Sequence, residues 1–151
     1  MAANTTPIFI KQGNNSSARL AAYNAGTTTA TITAGTSYDL VTGGTDGTRV
    51  DGVRVTAAGE VAGITTITPA AKVIRVFICD TANTNHRLIA ETTLGTTPTI
   101  SNTAVRGTNL ITFDQPIILK STQKLIVTMV AGATAFAAGN EVDAIAYAGD
   151  Y

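Results

Sequence analysis

Apolar and polar positions alternate with a period of two over much of this chain, the pattern of half-buried β-strands. Between 141 and 147, Val142, Ala144 and Ala146 fall on one side and Asp143, Ile145 and Tyr147 on the other. Between 49 and 56, Val53 and Val55 oppose Arg54 and Thr56, and Gly52 after Asp51 marks a place for a β-bulge. Stretches 28–33, 36–41, 64–68, 110–113 and 117–119 read as further short strands, and 125–130 is the most apolar run outside the central hairpin. Glycine, proline, asparagine and aspartate cluster between them, at 43–47, 57–60, Pro69, Pro116 and the turn 120–123.

The chain is organised around one hairpin. Residues 72–80 and 87–93 are rich in β-branched and large apolar side chains, and 81–86 is turn chemistry. Setting Cys79 against Arg87 pairs Phe77 with Ile89 and Arg75 with Glu91 on one face. The other face then collects Ile78 with Leu88, Val76 with Ala90, and Ile74 with Thr92. Slipping by one residue would put Glu91 among the apolar residues, so this register is preferred. Both faces carry apolar side chains and both need a cover: a second sheet on one side, a neighbouring subunit on the other.

Residues 1–25 are expected to form an N-terminal arm and first strand, with Ile8 and Phe9 free to reach across a partner. An ordinary first strand over the short apolar run 7–10 is the plainer reading of that arm; residues 14–17 read as loop, and Ser16 could cap a helix over 18–23, though so short a helix is marginal. The polar stretch 95–109 is long enough to cross between sheets, as a Greek key requires. Eight or nine strands, short turns and no strong helix predict an all-β fold, an antiparallel β-sandwich of jelly-roll type over 26–151, one domain in all.

Composition narrows the function. At 151 residues the chain buries a core without needing a staple. Only 13% of residues are charged and ten basic side chains balance ten acidic ones, with no basic cluster, so neither nucleic acid nor membrane is the expected partner. No apolar run reaches membrane-span length, and the opening residues lack the basic and apolar regions of a secretory signal. Thr is the commonest residue, which favours strands. The lone Cys79 cannot form an intrachain disulfide, consistent with synthesis in a reducing cytoplasm.

Reaction chemistry finds little footing. His86 is the only histidine and has no metal-ligand neighbours in sequence, so zinc is not expected. Cys79 lies in a strand without an adjacent base and is expected to be an inert thiol. Asp39, Asp46 and Asp51 could offer oxygens to calcium, but lack the ligand order of an EF-hand. The glycine-rich 43–47 lacks the lysine and helix of a phosphate loop. Glu60, Glu91 and Glu141 could converge only through the fold. No hydrolase signature is present. We therefore expect no enzyme, no cofactor and no metal, and a protein that works by binding other proteins. Absence of Trp, with four Tyr and four Phe, tells against a sugar-stacking platform.

Several stretches in order resemble a family of small structural proteins of tailed phages and prophages. They are residues 4–9, the strand 47–55, 73–80, 87–94, 116–119 with 124–128, and the ending Ala148-Gly-Asp-Tyr151. The turn 120–123 departs from the family pattern, where a Pro-Ala-Gly type turn is usual. The resemblance implies a jelly-roll protein of the virion, a capsid decoration or cement protein. Such a protein is made in the host cytoplasm, assembles as a trimer or dimer, and binds the major capsid protein on the head surface. The alternative is a receptor- or carbohydrate-binding module of a tail or head fibre. Candidate protein contacts are Ile8 and Phe9 in the arm, and Arg75, Phe77, Ile89 and Glu91 on the outer hairpin face.

Overall fold

The structure, a computed structural model, describes residues 12–24, 32, 36–57, 71–95, 107–130 and 140–151. Nine strands are present among them: β1 (Gln12–Gly13), β2 (Ser16–Leu20), β3 (Ser37–Thr42), β4 (Thr48–Ala57), β5 (Lys72–Asp80), β6 (Arg87–Leu94), β7 (Thr108–Leu119), β8 (Gln123–Val130) and β9 (Val142–Asp150). Sheet A runs β1-β9-β4-β7, with β2 also on β9, and sheet B runs β3-β8-β5-β6. Every pairing is antiparallel.

This order is a jelly roll. β2 pairs with β9, β3 with β8, β4 with β7 and β5 with β6, so the chain is one long hairpin rolled up about its middle. The β5–β6 hairpin is its apex, and from β2 onward every other pair of consecutive strands crosses between sheets. The connection from β6 to β7 makes one of those crossings, as its length suggested. The stretch 16–20 is strand rather than the start of a helix. Its alternation lets Leu20 join the core at 0% exposure while Arg19 faces out, and that burial outweighs the weak propensity of so short a helix.

The core lies between the sheets. Val50, Val53 and Val55 of β4 and Ala144 and Ala146 of β9 meet Ile74 and Val76 of β5 and Leu125, Val127 and Met129 of β8. The expected bulge in β4 is present: the register against both β7 and β9 shifts between Val50 and Gly52. Gly52 is required there, because a Cβ would sit 2.7 Å from the Ile111 carbonyl oxygen. β7 runs through Pro116 with residues 113–116 left unpaired against β4.

The hairpin register holds in one half and shifts in the other. Arg75 opposes Glu91, Val76 opposes Ala90 and Ile74 opposes Thr92, as expected, but a bulge then sets Phe77 against Leu88 and Ile78 against Arg87. Ile89 is the extra residue, and it packs against the main core beside Ile78 and Ala90 instead of facing outward with Phe77. The loop supplies the cause: Asn83 and Asn85 adopt left-handed φ of 61° and 55°, and Asp80 binds back to Asn83, Thr84 and Asn85. That compact turn ends the arms one residue out of step with regular pairing.

Candidate protein-docking surface

Each sheet has an outward side, and the two differ. On sheet B, alternation turns Phe77 and Cys79 of β5 and Ile126 and Thr128 of β8 outward. All four are nonetheless buried, and Phe77, Cys79 and Ile126 form a second small core with Ile32 packed against it. The edge of the His86 ring meets the Phe77 ring at 6.5 Å between centroids. Lys124 is drawn into this layer and holds Asp39 at 2.8 Å. Burial pushes the Cys79 thiol up, away from the reactive thiolate.

On sheet A, the outward side stays open. Of the four large apolar residues that are exposed among the described ones, Leu110, Ile118 and Tyr147 lie here, with Leu110 57% and Ile118 50% accessible. Pairing aligns them in rows across the strands: Leu110, Arg54, Ile145 and Ser17 in one, Thr112, Gly52 and Tyr147 in the next, and Ile118, Arg49 and Gly149 beyond. Arg19 pairs with Asp143 at 2.9 Å and Arg49 with Asp51 at 2.8 Å. The Arg54 side chain, in the centre, has neither ion pair nor hydrogen bond among the described residues. Exposed apolar side chains interleaved with arginine match the composition of protein interfaces.

A groove of about 380 Å³ opens where the edge strands β6 and β7 diverge. Asn109 of β7 ties the two strands together through bonds to Thr92 and the Thr93 carbonyl. The unpaired 113–116 segment places Phe113, Asp114 and Gln115 over a floor of Ile78, Ile89 and Ile117.

A buried polar cluster sits at one end of the sandwich. The Lys72 ammonium donates to the Asn140 carbonyl at 2.7 Å, and burial pulls it down to about 8 although the Glu141 charge acts the other way. The same burial, helped by Glu141, pushes Tyr23 up. One Glu141 carboxylate oxygen is buried without a hydrogen bond. Lys72 and Glu141 feel each other's charge here, and we assign no reaction to them.

The residues singled out from sequence separate as follows. Arg75 and Glu91 form the expected ion pair at 3.2 Å on the outer side of sheet B. Phe77 is outward but 1% exposed, so it fills a covered layer of its own chain rather than offering a contact surface. Ile89 faces the core and the groove. Ile8, Phe9 and Glu60 lie outside the described residues. Asp39 and Asp51 are each committed to a cation, and no three His, Cys, Asp or Glu side chains gather among the described residues. Sequence reasoning missed Arg54, Leu110 and Ile118, although the Asp143, Ile145, Tyr147 alternation had already marked one outward row with apolar members.

No protein family matches the chain, and no curated protein does. Among solved structures, one similar chain comes from the structure of the infectious bursal disease virus Gt strain. It is 14% identical, with a TM-score of 0.26, over 90% of this chain and 29% of that one. The present chain thus spans under a third of that protein's length, and the jelly-roll assignment rests on its own strand order.

Proposed function

We propose that this chain is a virion structural protein, a decoration or cement protein that binds the outside of the major capsid protein lattice and stabilises the head. The observation that carries the reading is the open face of sheet A: a rigid, two-layered fold that presents Leu110, Ile118 and Tyr147 between arginines on one side only. The resemblance to small tailed-phage structural proteins supports it. The work is adhesion rather than catalysis. Copies made in the host cytoplasm settle on the capsid surface, as trimers or dimers at symmetry positions, and each ties neighbouring subunits across a seam. Modest affinity per copy suffices when many seams are tied at once. Virions with and without the protein, compared for resistance to heat and pressure, test the role; equal resistance rejects it.

A second reading is favoured by the groove, where an aromatic ring, a carboxylate and an amide meet over an apolar floor. That is the equipment of a carbohydrate- or receptor-binding module of a tail or head fibre. A glycan array separates the two: a cement protein binds capsids and ignores sugars.

A further inference from the structure

We infer that the open face of sheet A docks on a protein surface presenting an aspartate or glutamate within an apolar patch, and that Arg54 selects it. The inference rests on the virion role above and supplies the chemistry of the partner.

The argument starts from charge. Among the described residues three arginines lie on this face, and two are already matched by Asp143 and Asp51. Arg54 alone is unmatched, and its neighbours across the strands are Leu110 on β7 and Ile145 on β9. Burying that row strips water from the guanidinium, which is costly unless the partner brings an anion, and the planar fork of arginine suits a carboxylate bidentately. Packed face to face, a second copy of this chain brings Asp51 and Asp143, and each of these is already held by an arginine. The outer side of sheet B is no substitute, because its apolar residues are covered. Four strands by the nine residues of β9 give a face of roughly 19 by 30 Å, or ~600 Å², from ordinary strand spacings. That is at the small end of specific interfaces, so one well-matched charge at its centre decides between partners.

The test uses the full chain and virus particles assembled without it, with binding followed by co-sedimentation. Arg54→Glu and Arg54→Met are expected to weaken binding at least ~30-fold, with Arg54→Lys intermediate. Leu110→Asp should also lose binding, while Asp114→Lys in the groove binds like the parent. All are surface changes, and unaltered thermal unfolding confirms their fold. Suppressors of Arg54→Glu selected in the shell protein should replace an Asp or Glu by Lys or Arg. Parent-like binding by both Arg54→Glu and Leu110→Asp overturns the inference and leaves the virion role standing. Loss with Leu110→Asp but not with Arg54→Glu overturns the carboxylate partner. Failure of the parent chain itself to bind particles rejects the virion role, and the inference with it.

Discussion

On the outside of sheet B, Phe77 and Ile126 are 1% and 0% exposed; on the outside of sheet A, Leu110 and Ile118 are 57% and 50% exposed. Both sets occupy the same kind of position, the outward row of a strand in a four-strand layer. Ile126 lies in an inner strand of its sheet and has Phe77 directly opposite, so the two side chains merge into one apolar layer that Ile32 also packs against. Leu110 and Ile118 lie on the edge strand β7, opposite Arg54 and Arg49, and no such layer forms among the described residues. At these two places the outward apolar residues become core on an inner strand where an apolar side chain lies opposite, and stay open on the edge strand where an arginine lies opposite.

Truncation puts the widest gap between the faces. Phe77→Ala should cost about 3–5 kcal/mol of folding stability, as for other buried aromatics, while Leu110→Ala stays within ~0.5 kcal/mol, both read from urea unfolding. Similar losses at the two sites would erase the distinction. Next is the backbone beneath the open face. Gly52→Ala forces a Cβ to within 2.7 Å of the Ile111 carbonyl oxygen and should cost about 1–3 kcal/mol, lowering the melting temperature although no exposed side chain is lost.

A smaller, pH-dependent effect probes the sandwich interior that both faces share. The Lys72 ammonium titrates near 8 when folded against 10.5 in its ordinary state, so between those values the unfolded chain binds more protons and stability rises with pH. Below pH 8 both states are protonated and this contribution is flat. The raised Cys79 thiol works oppositely: its stabilisation is present below pH 9.0 and lost as pH climbs. In a Cys79→Ser background, stability should therefore climb from pH 7.5 to 9, and Lys72→Met should abolish the climb. Least of all, Asp143→Asn breaks the exposed pair with Arg19 and should shift stability by under ~1 kcal/mol, less still in high salt.

Much of the fold was legible before any coordinates. The alternation of Val142, Ala144 and Ala146, the glycine after Asp51 and the turn at 120–123 each name a strand, a bulge or a reversal, and all three appear as read. The candidate surface was legible only in part. Arg75 and Glu91 pair as expected, yet Ile89 turns inward, because one extra residue in β6 changes which side chain faces which layer.

Local pattern therefore determined by itself that the chain is all-β, where most of the described strands from residue 36 onward lie, and that its middle is a hairpin, since period and turn chemistry act over a few residues. Tertiary structure alone decided which outward row is core and which is open. That choice depends on residues far apart in the chain, Phe77 beside Ile126 and Arg54 beside Leu110 and Ile145, whose meeting follows from the way the long hairpin rolls up.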